Sequence, residues 1–283
     1  MSQEIKNLKV EDLVLWTENP RDPISPDAKD QDVVNRALQN TDGTWDLHKL
    51  AKSMGENYDF SELPTVVFEM GKPVVYDGNR RIILAKIYHE LVDTDVKFDS
   101  LPKVPLEIPC NVCSKDMALK NVLRKHGESG SWKPLERDMF IAKYGLGEKS
   151  DFLIIDECTG VISGNKILNQ GFVKKEIFNA SALTQLGLKI DSGRLLSRHS
   201  KEELRQIFDD IIDKVGAKLI TTRSSRGKIC EVLDTATSDL IENNKDHGFR
   251  TAPMLYAMFK DDGETSSSPA ERPVRKTKRV VEP

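Results

Sequence analysis

The sequence contains no apolar run approaching the roughly 20 residues that span a bilayer, and no excess of one charge. Its 42 Lys and Arg face 45 Asp and Glu, a formal net charge of −3, which excludes a uniformly basic nucleic-acid coat. Cysteine is scarce. Cys110 and Cys113 form a C-x-x-C pair, while Cys158 and Cys230 stand alone, and no second pair or neighbouring His cluster completes four zinc ligands. A redox pair needs a lowered thiol pKa at a helix start, and ordinary reduced thiols are the simpler expectation. The opening MSQEIKNLKVEDLVLW lacks the basic and apolar regions of a secretory signal. A soluble, cytoplasmic protein is expected.

With 283 residues the chain has room for about two domains. Hydrophobic residues at 38% and charged ones at 31% fit a polar globular protein with a substantial core. Charge is unevenly spread: residues 1–105 hold 13 basic and 19 acidic residues, and residues 106–258 hold 23 and 21. The last twelve, RPVRKTKRVVEP, carry five basic residues and one acidic, after the polar, aperiodic DDGETSSSPAE. Residues 260–283 therefore read as a disordered basic tail. Such a tail neutralises nucleic-acid phosphates or simply keeps a protein soluble.

The first hundred residues mix short strand and helix signals. LKVEDLVLW alternates as a half-buried strand does, and WDLHKLAKSM sets Trp45, Leu47, Leu50, Ala51 and Met54 on roughly one helical face. LPTVVFEM, then GKP, then VVYDGNRR predicts a strand, a tight turn and a strand over residues 65–76. RRIILAKIYHEL follows at helical spacing, with Ile83, Ile87 and Leu91 on one face and Leu84 and Tyr88 beside them. From about residue 115 helices dominate. MALKNVLRKHG reads as a helix ended by Gly127, and WKPLERDMFIAKYGLG as one opened near Pro134 and closed at Gly145. The clearest is residues 200–215, where Ser200 and Glu203 form a capping box ahead of an apolar stripe from Leu204 to Val215.

The segment most suggestive of chemistry is YDGNRR, residues 76–81, which joins an apolar strand to an apolar helix. Gly78 permits a backbone turn and close approach that a Cβ would block. The unpaired N–H groups of the following helix start favour an anion. Arg80 and Arg81 add guanidinium forks suited to phosphate oxygens, and Asp77 and Asn79 are placed to hold a hydrated Mg²⁺ or orient a nucleotide group. A surface turn with Asp77 paired to an arginine is the alternative on these six residues alone.

Gly78-Asn79-Arg80-Arg81-Ile82-Ile83-Leu84-Ala85 resembles the GERRxRA-like box of the ParB/sulfiredoxin-like fold, as found in the N-terminal domain of ParB-type proteins. Glycine, both arginines and the later alanine match. Asn19-Pro20-Arg21 looks like the family's early NPR-type segment, and WDLHKLAKSM before LPTVVFE resembles its helix-then-strand preface. Downstream, Asn121 and Arg124 keep an Asn-x-x-Arg spacing, and Pro134 with Glu136 a Pro-x-Glu, as in a stretched version of the family's second phosphate-facing helix. A looser set of ParB-like proteins, some from phage or mobile elements, also carries a DGNRR box and a His-Gly motif. The resemblance covers residues 5–140. It implies an α+β ParB/sulfiredoxin-like domain at 1–105, then a mostly α-helical region at 106–259 and the tail. It also implies a nucleoside triphosphate, CTP or ATP, with Mg²⁺, bound at Gly78, Asn79, Arg80, Arg81, Asn121 and Arg124. The departures are specific. Asn79 replaces the box's glutamate, the loop lacks the cysteine of sulfiredoxins, and no dimerising C-terminal domain of the partition type is evident.

His126 ends a predicted helix, where a cation suits the helix dipole, and would otherwise be a phosphate contact or general acid/base. Glu128 is a second candidate carboxylate beside Asp77, the expected metal ligand. Residues 163–198 are read as a possible helix–turn–helix, with Gly171 near the first helix end and a second helix through 174–186. Lys166, Lys174 and Lys175 would then contact DNA phosphates, with Arg223 and Arg226 of TTRSSRGK in a second basic loop. Three readings from different classes follow. One is a nucleotide-binding, DNA-associated regulator or switch with a further protein partner through its helical region and no membrane. The second is an enzyme: a nucleoside triphosphatase, a nuclease using Asp77 and Glu128, or a small-molecule kinase. The third is a non-catalytic interaction module that keeps the fold and has lost the ligand.

Overall fold

The computed structural model describes residues 3–20, 22–41, 43–128, 130, 132–221 and 229–256. The expected tail, and Arg21, Arg223 and Arg226, lie outside these residues. The chain runs β1 (Glu4–Lys9), β2 (Val14–Leu15), α1 (Asp30–Gln39), α2 (Leu47–Met54), β3 (Thr65–Glu69), β4 (Lys72–Asp77), α3 (Asn79–Tyr88) and β5 (Glu107–Val112). It continues through α4 (Lys115–Val122), a π-helical turn (Leu123–Glu128), α5 (Pro134–Lys143), α6 (Asp151–Thr159), α7 (Gln170–Glu176) and α8 (Ala180–Gln185). Last come β6 (Leu188–Asp191), β7 (Arg194–Ser197), α9 (Lys201–Gly216), a 3₁₀ turn (Ile229–Glu231), α10 (Thr235–Asn243) and β8 (Arg250–Thr251).

Five strands form a mixed sheet in the order β1-β5-β3-β4-β2. β1 is antiparallel to β5, β5 parallel to β3, β3 antiparallel to β4 and β4 parallel to β2. The expected hairpin is β3–β4, turned at Met70-Gly71 with positive φ at both residues, the geometry that matches strand twist in a two-residue loop. β5 lies beyond residue 105, so the sheet crosses the expected domain boundary. It carries Cys110 within the strand, where burial pushes the thiol up to about 12. Cys113 follows it, also buried and raised, so neither thiol is primed as a nucleophile.

Helix α3 lies against the sheet and is buried all round from Ile82 to Ile87, while Tyr88 and Leu91 are exposed. Where a one-faced stripe is predicted, the helix is thus enclosed on every side from Ile82 to Ile87. Its Lys86 is buried too, held by Asp30 at 2.9 Å and the Val10 carbonyl at 3.3 Å. A second core, around Phe152, Ile155, Val173, Leu204 and Phe208, fills the later helices. A third, around Trp16, Tyr76, Val122, Trp132 and Phe140, joins the sheet to α4 and α5.

The helix–turn–helix geometry expected at 163–198 differs from the observed one. Gly171 is the second residue of α7 rather than its end. Asn169 and Asn179 each accept a backbone N–H and start separate short helices, α7 and α8. A β-hairpin then follows, turned at Ser192-Gly193. α9 forms as its capping box predicts, with Ser200 Oγ accepting from Glu203 N and the Glu203 carboxylate accepting from Ser200 N.

Candidate functional site

β4 ends at Asp77, and Gly78 turns the chain at φ +97 into α3. A Cβ at Gly78 would meet Pro64 Cα and Cβ at 3.3 Å, so glycine serves both the dihedral and the close approach. The first helical bonds run from Arg81 N and Ile82 N to the Gly78 carbonyl, which leaves the Asn79 and Arg80 amides ahead of the intrahelical ladder. Asn79 is buried. Its Oδ1 accepts from Trp16 N at 2.9 Å and its Nδ2 donates to the Val75 carbonyl at 2.8 Å, so its amide ties β2 and β4 to the helix start.

Around this turn is a cavity of ≈ 100 Å³, several times the ~10–15 Å³ that one water requires. Its walls include Trp16, Trp45, Glu62, Asp77, Gly78, Arg80, Arg81, Lys125, His126 and Trp132. Arg80 Nη1 donates to the Trp45 carbonyl at 3.3 Å. Arg81 Nη1 donates to Glu62 Oε2 at 3.0 Å, and its Nη2 lies 3.8 Å from Asp59. Arg81 Nε is buried without a hydrogen-bond partner.

The opposite wall is the π-helical turn that prolongs α4, a deviation often found at functional sites. It sets Lys125 and His126 against one carboxylate: Asp77 Oδ2 accepts from Lys125 Nζ at 2.9 Å, and Asp77 Oδ1 lies 2.8 Å from His126 Nε2. Burial pushes the Asp77 carboxyl up, but the hydrogen bonds and charges of His126 and Lys125 together hold it well below the usual carboxylate range. An ionised carboxylate only accepts, so His126 Nε2 carries the proton of that bond. The imidazole stacks on Trp132, centroids 5.8 Å apart, and Trp132 N donates to the His126 carbonyl. A Cβ at Gly130 would lie 2.5 Å from the Lys125 carbonyl oxygen and 2.6 Å from His126 Cα. Gly130 and Trp132 thus pack against Lys125 and His126.

Of the expected site residues, Asp77, Gly78, Asn79, Arg80, Arg81 and His126 converge. Asn121 and Arg124 do not line the cavity, and Arg124 is exposed. Glu128 closes the π-helical turn. Lys125 and Glu62 enter without having been singled out. Lys125 had a weak signal, its adjacency to His126, and Glu62 had none. Asp77 does not fit the role of metal ligand in this arrangement, because its two oxygens face Lys125 and His126. Among the described residues no three His, Cys, Asp or Glu side chains group as metal ligands.

Arg80, Thr44 and Trp132 are shared with an adjoining groove of ≈ 980 Å³, lined also by Met139, Ile162, Lys166 and Leu168. Lys166 therefore lies on the same side as Arg80. Lys174 instead pairs with the buried Asp138 and sits over the Phe152 ring, where its removal would leave a buried carboxylate short of a partner. Lys175 is exposed, 3.9 Å from Glu176. No helix among the described residues is long and apolar enough to cross a membrane.

No known protein family and no curated protein matches the chain. A solved structure of the C-terminally truncated chromosome-partitioning protein ParB from Caulobacter crescentus, complexed with CTP-gamma-S, is similar over 85% of this chain and 98% of that one. The identity is 12% and the TM-score 0.28, too low to establish a common fold.

Proposed function

We propose that the Gly78 cleft binds the phosphate groups of a nucleotide, and that the protein is a nucleotide-responsive regulator that associates with DNA. The observation that carries the reading is the convergence of a helix N-terminus, Arg80 and Arg81 on one cavity that Lys125 and His126 close from the other side. Three lining arginine and lysine side chains against two lining carboxylates leave the cavity positive, and helix-start amides add partial positive charge aimed the same way. The resemblance of residues 78–85 to the ParB-type box agrees with this chemistry. The enclosed part suits phosphates, and a nucleoside attached to them extends past Thr44, Arg80 and Trp132 into the adjoining groove. Lys166 lines that groove, on the side where the same ligand or a nucleic-acid strand would pass. For a switch, the ligand must bind one conformation better than another. The π-helical turn is the element placed to register it, since it contacts the cleft through Lys125 and His126 and prolongs α4.

One feature favours turnover as a second activity. Asp77 fixes the His126 ring through Nε2, leaving Nδ1 as the nitrogen able to exchange a proton with a water or leaving group. Release of inorganic phosphate from CTP or ATP, lowered in His126→Ala by far more than nucleotide affinity is, is the outcome that reading requires.

Calorimetric titration of the protein with CTP, ATP and GTP tests the primary reading. Wild type is expected to bind at least one of them, and Arg80→Ala to weaken that affinity at least about tenfold, ~1.4 kcal/mol. Unchanged affinity in Arg80→Ala, or no binding of any nucleotide to wild type, overturns it.

A further inference from the structure

Glu62 lies between α2 and β3, just ahead of Pro64, and its side chain is half exposed at 48%. A single oxygen, Oε2, accepts from Arg81 Nη1 at 3.0 Å and from Lys125 Nζ at 2.9 Å. The two donors come from different elements, α3 and the π-helical turn, and no other partner of Glu62 is present among the described residues. One anionic oxygen held between two cations across a cleft is the arrangement a phosphate oxygen would adopt there. Asp77 differs in kind. It is more enclosed, at 16% exposure, and engages Lys125 and His126 from the floor of the cleft.

We propose that Glu62 is a displaceable resident anion of the cleft and sets a threshold of affinity that polyphosphates pass and single phosphate groups do not. The inference rests on the phosphate-binding reading above. The Glu62 carboxylate is half exposed, so solvent screens its side of the ion pairs and leaves them weak enough to exchange. A monophosphate entering between Arg81 and Lys125 replaces one anion by another and gains little. A di- or triphosphate places one group there and further charged oxygens on Arg80 and the α3 amides, contacts that Glu62 cannot make from its position. The carboxylate therefore lowers affinity for every anion by the cost of its displacement, and only an anion with further charged oxygens offsets that cost enough to bind tightly.

The probes are inorganic phosphate, pyrophosphate and triphosphate, titrated by calorimetry into wild type, Glu62→Gln and Arg81→Ala at fixed ionic strength. Wild type is expected to bind triphosphate far better than phosphate. Glu62→Gln is expected to tighten all three about tenfold, bringing phosphate into the measurable range. Arg81→Ala is expected to weaken all three. Glu62→Ala serves as the second variant should the glutamine retain a contact, and a melting temperature near wild type shows that either is folded. If wild type binds triphosphate while both Glu62 variants bind phosphate no more tightly, the role of Glu62 is overturned and the phosphate site stands. If no probe binds wild type or either variant, the phosphate site falls and the inference with it.

Discussion

Replacing Asp77 by asparagine is expected to lower stability at pH 7 by about 2–3 kcal/mol, the scale of hydrogen bonds to charged partners in a largely enclosed site, and to flatten its loss in acid. The carboxylate meets Lys125 at 2.9 Å and His126 at 2.8 Å with 16% of its side chain exposed. Burial raises its pKa, yet His126 and Lys125 outweigh burial and hold the native value well below the usual range. Between that low value and the unfolded value of about 4, the native state binds fewer protons than the unfolded chain, so stability rises with pH across that window. The contribution is complete at neutral pH and is lost as pH falls below about 4. The Asp77→Asn side chain has no such proton to take up. Urea midpoints for both proteins between pH 7 and pH 3 should therefore converge on acidification. Depressed carboxylates that share no partner with Asp77, Glu203 among them, titrate alike in both proteins and cancel in the difference. Equal midpoints at pH 7, or parallel acid limbs, would sink the assignment of Asp77 as the ionic keystone of the cleft.

How much of this arrangement can be read in the sequence depends on distance along the chain. The β3–β4 hairpin is legible because its valines and Gly71 are local signals, although Lys72 and Pro73, expected in the turn, belong to β4, and α9 because a capping box and a stripe coincide. The strand–glycine–helix turn at residues 77–79 is legible for the same reason. β5 is not, since Pro109 and the prolines before it read as loop. β3 joins β5 only at Asn111 and Val112, so Pro109 falls where a missing N–H is tolerated. The β6–β7 hairpin carried a turn signal in Ser192-Gly193, obscured by the helix–turn–helix reading of the same segment. Within the site, Glu62 and Lys125 meet across 63 residues of chain and Lys125 meets Asp77 across 48. No periodicity or spacing encodes such pairs, because they exist only once the sheet and the π-helical turn are assembled.

Asn79 shows a residue whose identity was conspicuous and whose role was not. Set beside the glutamate of the ParB-type box, it reads as a lost carboxylate. In the fold it is a buried two-way clip, at 5% exposure, accepting from Trp16 N and donating to the Val75 carbonyl. Only an amide does both, since a carboxylate has no donor for Val75. Asn79→Asp, which preserves size, should therefore cost about 3 kcal/mol at pH 7, from a lost bond, an unpaired carbonyl and a buried charge facing it. The repulsion also fixes the pH response. Crowded against a carbonyl, the new carboxyl would hold its proton more tightly in the native state than when unfolded, so stability should recover as pH falls from 7 toward 4. That trend is opposite in sign to the acid loss expected from Asp77. Urea unfolding of Asn79→Asp at several pH values measures both the cost and the recovery, and a midpoint equal to wild type at pH 7 would refute the clip. Because Trp16 stacks on Tyr76 at 4.3 Å, loosening the clip also frees the end of β4 from which Asp77 projects. The Asn79→Asp protein should then bind nucleotide more weakly even at concentrations of denaturant that leave it folded. A residue in the position of the family's carboxylate would thus act by fixing the helix start on which Arg80 and Arg81 are mounted, with no contact to the phosphates required of its own side chain.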